Sequence, residues 1–158
     1  MEQTEEYKLY VTSKTKIQMV EATLEELHTK KFYELDEECV TEIQFGTRIE
    51  IADEENAVAF LKTDIKVSNR EVKEPGVMIT VIYKGRFESK ETLDQFQFET
   101  WIDPQVVPQL LPYTRVLISN LTNLLGVTPP VNLPTIDILE TIKANDPPGN
   151  EDGKDNGE

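Results

Sequence analysis

Three consecutive segments alternate apolar and polar residues, with short connections between them. They are Cys39 to Ile51, Ala57 to Val67 and Val77 to Tyr83. Alternation over such lengths predicts β-strands with one buried face. The connections contain Asp53-Glu54-Glu55-Asn56 and Pro75-Gly76, which are turn residues, and neither has room for the crossover helix of a parallel sheet. The chain is therefore predicted to contain a contiguous antiparallel meander.

The last two of these strands are apolar on both faces. The predicted inward face consists of Ile43, Phe45, Ile49, Ile51, Ala57, Ala59, Leu61, Ile65, Val67, Val77, Ile79, Val81 and Tyr83. One layer of helices covers only one face, and an uncovered apolar patch of several hundred Å² normally marks a partner surface. We therefore predict an interface between copies of the chain on the opposite face, formed by Val58, Phe60, Met78, Thr80 and Ile82.

A long amphipathic helix is predicted from Pro108 to the stop at Gly126. Its apolar side consists of Leu110, Thr114, Leu117, Ile118, Leu121 and Leu125, flanked by Leu111, Tyr113 and Leu124, and its polar side of Arg115, Ser119, Thr122 and Asn123. The apolar arc is roughly 160° wide, which exceeds the ~100° that packing on one sheet requires. We expect the helix to contact a second protomer as well, through Leu117, Leu121 and Leu124.

Two other regions leave alternatives open. Residues 15–31 fit a strand over Lys16 to Ala22 followed by an irregular turn, which we favour, or a helix over Thr23 to Lys31. The stretch from Phe87 to Asp103 fits equally a short helix capped by Thr92 and a strand edge. Residues 1–14 are polar and predicted to be loose.

After the long helix, Pro129, Pro130 and Pro134 predict an extended segment from Val127 to Pro134. A second short helix is predicted from Thr135 or Asp137 to Ile142. Residues 144–158 are polar and acidic, which predicts a disordered tail. The domain is therefore expected to span residues 15–143.

Composition excludes several classes of function. The 158 residues include 30 acidic and 16 basic ones, and the net charge of −14 argues against binding nucleic acid or anionic membranes. Cys39 is the only cysteine, the N-terminal stretch does not resemble a signal peptide, and no run reaches the ~20 apolar residues of a membrane span. We therefore expect a cytoplasmic protein that does not insert into membranes.

Catalytic and metal-binding patterns are absent from the sequence. His28 is the only histidine, and no glycine-rich elbow lies near it. The clusters Asp36-Glu37-Glu38 and Asp53-Glu54-Glu55 lack the alternating ligands and central glycine of a calcium loop. Cys39 begins a strand and is expected to act as a small apolar residue. We predict neither an enzyme nor a metal or cofactor site.

The helical region carries a resemblance to a known family. The motifs are Leu110-Leu111-Pro112-Tyr113-Thr114-Arg115, Ser119-Asn120-Leu121-Thr122, Gly126, Pro129-Pro130-Val131-Asn132-Leu133, Thr135-Ile136-Asp137 and, in the strands, Gly85-Arg86-Phe87. In this order and spacing they resemble the SecB family of protein-export chaperones. The resemblance implies an α+β fold: a four-stranded antiparallel sheet with two main helices on one face, assembled as a dimer of dimers.

The resemblance also implies a function. Members of this family hold unfolded polypeptides in apolar grooves without ATP and pass export clients to the SecA motor. The candidate groove residues are Phe96, Phe98, Trp101, Val131, Leu133 and Ile136. For each of them, a place in the ordinary core is the alternative, and a self-associating scaffold without a groove is the alternative for the whole protein.

Several positions depart from the family pattern. Leu111, Leu125, Thr135 and Ile138 replace the usual Phe, Gly, Pro and Phe. The acidic position that faces SecA falls at Thr80, with Met78 two residues before it. These departures make a dedicated client, such as an antitoxin or one secreted protein, an alternative to general export.

Overall fold

A computed structural model describes residues 4–133. The elements are α1 (Glu5–Lys16), β1 (Ile17–Lys31), β2 (Cys39–Ile51), β3 (Asn56–Asn69), β4 (Val77–Ser89) and α2 (Gln95–Leu124). The strands form one antiparallel sheet in the order β1-β4-β3-β2. The predicted α+β class and the meander of the last three strands are confirmed, with β1 added beside β4. The predicted helix over residues 135–142 and the tail over 144–158 lie outside the described residues.

The covered face of the sheet, on which α2 packs, is the one that the alternation predicted. Its centre comes from β3 and β4, where Leu61, Ile65, Val77, Ile79 and Val81 are almost completely buried. Helix α2 contacts all four strands, and α1 packs on α2 and β1. The opposite, open face carries Val58, Phe60 and Ile82 among charged residues, and the described part of the chain places no element over it.

The β2–β3 turn is held by one side chain. Asp53 Oδ1 accepts hydrogen bonds from the backbone N–H groups of Glu55 and Asn56, both at 2.8 Å. The Asn56 side-chain amide donates to the same oxygen at 2.9 Å. The bond from the Glu55 N–H, and then the one from the Asn56 side chain, lower the pKa of Asp53. The turn sets the β2–β3 register, which continues without interruption from Ile51–Ala57 to Cys39–Asn69.

The strand predicted over Lys16 to Ala22 is present from Ile17 onward, but the prediction for the residues after Ala22 is wrong. The strand continues to Lys31, and neither an irregular turn nor a helix forms. Its register against β4 shifts between Met19 and Glu21 and again between Leu24 and Glu26. Each shift moves the following side chains to the other face, so the sequence loses the period of two.

The N-terminal stretch is not loose from Glu5 onward, because it forms α1. The Thr4 hydroxyl caps the helix by accepting from the Tyr7 N–H at 3.4 Å. Tyr10 and Ser13 face inward, and the Ser13 hydroxyl donates to the Tyr10 carbonyl at 2.7 Å. Because α1 packs through few apolar residues, its sequence resembles that of a solvent-exposed stretch.

Helix α2 starts at Gln95, thirteen residues before the predicted start. Of the two alternatives for this stretch, the helix is confirmed and the strand edge is wrong, but the cap is Asp94 and not Thr92: Asp94 accepts from the Gln97 N–H at 2.8 Å. Pro104, Pro108 and Pro112 lie inside the helix. A proline in a helix interior lacks a hydrogen bond donor and is costly, so packing must hold this helix together.

That packing follows a regular row along α2. The buried residues include one at every fourth position: Phe98, Ile102, Val106, Leu110, Thr114, Ile118 and Thr122. Four residues turn an α-helix by about 400°, so such a row moves around the helix by about 40° at each step. The two halves of α2 therefore bury different sides, and the second half leaves an apolar side exposed.

Candidate functional site

The segment after α2 turns back along the helix. Gly126 has φ of 80°, a left-handed conformation that glycine adopts without strain, and its N–H donates to the Asn123 carbonyl at 3.2 Å. The next N–H, of Val127, donates to the Thr122 carbonyl at 2.9 Å. Residues 127–133 then run without regular secondary structure, and we call residues 127–132 the Pro-Pro segment.

Thr122 fixes this segment on the helix. Its hydroxyl donates to the Ile118 carbonyl at 2.8 Å and accepts from the Val131 N–H at 2.9 Å. The prediction that Thr122 lies on a polar, exposed side of the helix is wrong, because its side chain is completely buried. A hydroxyl at this position can accept a hydrogen bond from the segment while donating to the helix.

A groove of about 240 Å³ separates the Pro-Pro segment from the start of β2. Its lining residues on the strand side are Glu37, Cys39, Thr41 and Ile43, and on the segment side Val127, Thr128, Pro129, Pro130, Val131 and Asn132. Phe45, the next residue of β2 on the same face, is 40% exposed and extends the apolar surface beyond the groove.

The Cys39 thiol is held within the groove wall. Its sulfur lies 2.8 Å from the Asp36 carbonyl oxygen, to which it donates. Burial, and then the negative charge of Asp36, raise the pKa of the Cys39 thiol. The group therefore stays protonated, as a small, weakly polar part of the lining.

The strand beside the groove is an edge of the sheet. β2 pairs with β3 alone, and within residues 4–133 no other backbone segment pairs with its outer side. An unpaired edge presents a row of N–H and C=O groups that another extended chain can match. The groove thus combines apolar side chains with an open backbone edge.

The predicted groove residues are not all brought together. Val131 lines the groove, and Leu133 is buried in the core beside it. Phe96 is 78% exposed and Trp101 is half-buried, but both lie in the first two turns of α2. Thr122 lies 26 residues after Phe96, which is ~39 Å along the helix, so these aromatic residues are far from the groove in one protomer.

Two further predicted residues do not contribute to the groove as described. Phe98 is completely buried in the core. Ile136 lies outside the described residues. The sequence interpretation missed Cys39, Thr41 and Ile43, because their place in the groove depends on β2 being an edge strand, which alternation alone does not reveal.

The predicted interface residues of α2 lie beside an exposed apolar side of the helix. Leu124 is 81% exposed, and Val116 is 63% exposed. Leu117 and Leu121 are half-buried and pack against the core. Tyr113 is also exposed and lies with its ring centre 5.8 Å from that of Tyr83 on β4. We call Tyr113, Val116 and Leu124 the α2 strip.

On the open face, the predicted interface residues keep partial exposure. Val58, Phe60, Thr80 and Ile82 are half-buried, and Met78 is 38% exposed. Ion pairs surround them: Glu25 with Lys84 and Glu21 with Arg86 between β1 and β4, and Lys62 with Asp64 along β3. Within residues 4–133, no cluster of side chains could hold a metal ion, and no helix has the length and apolar character needed to cross a membrane.

The fold has a counterpart among solved structures. A Mycobacterium tuberculosis SecB-like chaperone, Rv1957, in complex with a ChAD peptide from the Rv1956 HigA1 antitoxin, matches with a TM-score of 0.72 and 12% sequence identity. The match covers 82% of this chain and 97% of that one. No family model and no curated protein matches the sequence. The chain therefore has the SecB-like fold that its helical motifs predicted.

Proposed function

We propose that this protein is an ATP-independent chaperone that holds unfolded polypeptides, with the groove beside β2 as a client-binding site. The observation that carries the proposal is the combination of an open groove, lined in part by apolar side chains, and an unpaired edge strand on a SecB-like fold. The exposed α2 strip supplies apolar surface for assembly between copies.

The chemistry of the groove suits a client without defined structure. An extended chain that adds to β2 gains backbone hydrogen bonds whatever its sequence, and the apolar lining receives alternate side chains. A folded protein has already paired its backbone and buried its apolar residues. Selectivity for unfolded chains therefore needs neither a nucleotide nor a sequence motif.

We further propose a dedicated client rather than handover to SecA. The peptide bound to the Mycobacterium tuberculosis protein comes from an antitoxin. On β4 of this chain, the position that would carry an acidic residue is Thr80, whose hydroxyl donates to Asp64 Oδ1 at 2.6 Å. Thr80 thus offers no carboxylate to a motor protein.

The assembly that we propose is a dimer of dimers in the cytoplasm. Exposed apolar residues at the α2 strip would be covered by a second copy, because large apolar side chains at 63% and 81% exposure are costly in water.

An aggregation assay tests the chaperone function. Stoichiometric amounts of the protein should delay aggregation of a chemically denatured client without nucleotide. Thr41→Lys places a long charged side chain in the groove from an exposed position and should remove most of this protection. Gln44→Lys makes a comparable change to the net charge on the open face of the same strand, outside the groove, and should leave protection intact.

Equal loss of protection in both variants would show that charge, and not the groove, decides client binding. A wild-type protein that fails to delay aggregation of several clients, including an antitoxin, would contradict the proposed function. Circular dichroism and the thermal midpoint verify that both variants remain folded.

A further inference from the structure

A second concave site lies on the open face of the sheet, on the other side from α2. It has a volume of about 360 Å³, and its lining includes Gly46 and Arg48 of β2, Phe60 and Lys62 of β3, Ile82 of β4 and Glu26 of β1. All four strands contribute. We call it the open-face depression.

Gly46 creates this depression. A Cβ atom built at Gly46 would have no other atom within 4 Å, so the position opens directly to solvent. Glycine is unfavourable in a strand interior because it offers no side chain to pack. Here its small size exposes Phe60 and Ile82, which form an apolar floor.

Two cations stand at the rim on the β2–β3 side. The Arg48 guanidinium lies 4.5 Å from the centre of the Phe60 ring, a cation–π arrangement that holds it over the floor. One of its nitrogen atoms contacts Glu50 Oε1 at 3.2 Å. A guanidinium has five N–H donors, so Arg48 can serve a second carboxylate.

Lys62 is less firmly paired than Arg48. Its Nζ lies 3.7 Å from Asp64 Oδ2, which is longer than a hydrogen bond, while Asp64 Oδ1 accepts from Thr80. The side chains of Arg48 and Lys62 are 66% and 53% exposed, and ion pairs at such exposure are weak and easily exchanged. On the opposite rim, Glu26 contacts His28.

We propose that the open-face depression is a docking site for a partner protein that presents a carboxylate beside a bulky apolar side chain. The apolar side chain would lie on Phe60 and Ile82, and the carboxylate would bind Arg48 and Lys62. The volume lies within the range of about 300 to 1,000 Å³ that is usual for ligand sites. Charge complementarity selects the partner, because the lining carries two cations, Arg48 and Lys62, against one carboxylate, Glu26, on a chain with a net charge of −14.

This site is separate from the client groove. The groove opens at the outer edge of β2 beside the Pro-Pro segment, whereas the depression lies on the open face. A client and an acidic partner can therefore bind at the same time. Nucleic acid is disfavoured as the occupant, because two cations beside Glu26 cannot offset the repulsion between a polyphosphate and the whole chain.

The test uses three fluorescein-labelled synthetic peptides that differ only around one phenylalanine: Asp-Phe-Asp, Asn-Phe-Asn and Lys-Phe-Lys, each flanked by Gly and Ser. Fluorescence anisotropy with the full chain should show that the acidic peptide binds most tightly, despite the overall negative charge. Equal binding of the acidic and amide peptides, or preference for the basic one, overturns the proposal.

Matched variants locate the binding. Lys62→Glu should weaken binding of the acidic peptide at least about tenfold, whereas Lys66→Glu, which makes the same charge change four residues along the open face of β3, should change it less than about twofold. Gly46→Val keeps the charge and fills the depression, and should weaken binding as much as Lys62→Glu. Equal effects of Lys62→Glu and Lys66→Glu would overturn the site.

Two further measurements exclude other occupants. Thr41→Lys in the client groove should leave binding of the acidic peptide unchanged, and a loss there would place the peptide in the groove. Sedimentation of the Lys62→Glu variant should show the wild-type mass, and a lower mass would assign the depression to contact between copies of this chain. Either result would overturn the proposal without affecting the proposed chaperone function.

Discussion

At the scale of single residues, Thr122 connects the helix to the groove. It is one of few buried polar side chains among the described residues, and its hydroxyl satisfies the Val131 N–H while donating to the Ile118 carbonyl. Position 122 lies on the polar side of an ideal helix wheel. Its burial follows from the return of the Pro-Pro segment, which no pattern within the helix contains.

Thr122→Val tests this connection. Valine keeps the shape of threonine and removes the hydroxyl, so the buried Val131 N–H loses its acceptor. We expect a loss of about 1–3 kcal/mol in the free energy of unfolding, measured by denaturant titration. Protection of an aggregating client should also fall, because the segment side of the groove is no longer held.

Thr100→Val provides the control. The Thr100 hydroxyl also donates to a carbonyl one turn earlier, that of Phe96, but accepts no bond from the segment. Its removal should change stability by less than about 0.5 kcal/mol. Equal losses in the two variants would mean that the intrahelical bond, and not the bond to Val131, accounts for the effect.

At the scale of elements, the two edge strands differ. The register of β1 shifts twice along its pairing with β4, whereas that of β2 with β3 is regular over its full length. Bulges blunt an edge by bending it and interrupting its row of donors and acceptors. The regular edge of β2 is therefore the better template for an added strand, and it is the edge that borders the groove.

Hydrogen exchange distinguishes the edges. Alternate amides of β2 point toward β3 and should exchange slowly, while those between them point outward and should exchange fast in the free protein. Addition of an unfolded client should slow the outward set in Thr41 to Phe45 and leave β1 unchanged. If the client slows β1 instead, or slows no amide of β2, strand addition at the groove is excluded.

The elements also show how much of the fold the sequence predicts. Alternation located β2 at its observed bounds and predicted which faces of β3 and β4 are buried, because those strands pair without interruption. It failed on β1, where two bulges break the period, and the sequence also missed the first half of α2, because Pro108 suggested a helix start. In both cases, contacts with distant parts of the chain override the local signal.

The candidate site was less accessible from sequence than the fold. The Pro-Pro segment was recognised, because prolines restrict the backbone wherever they occur. The surface of β2 that faces this segment was not recognised, because the strand order β1-β4-β3-β2 decides which strand is an edge. That order depends on the pairing of β1 with β4. The high density of aromatic residues suggested Phe96, Phe98 and Trp101 as groove residues, but they lie in the first two turns of α2, far from the groove.

At the scale of the whole molecule, the apolar surfaces have distinct places. The groove lies at the edge of β2, the depression lies on the open face, and the α2 strip lies on the helix. A chaperone must keep binding surface open without aggregating, and the net charge of −14 opposes nonspecific association. In the proposed assembly, burial of the strip between copies would leave the other two surfaces available.

The α2 strip gives the last prediction. The double variant Val116→Ser, Leu124→Ser removes exposed apolar side chains that make little contact within one protomer, so the secondary structure of the protein should be unchanged. Its mass by sedimentation equilibrium should fall relative to the wild type at equal concentration, because association loses apolar burial. Gln95→Ser, Gln97→Ser, at exposed polar positions in the first turn of the same helix, should keep the wild-type mass. A double variant of the strip that assembles as the wild type does would show that the strip is not the interface, and its apolar residues would then be accessible to clients.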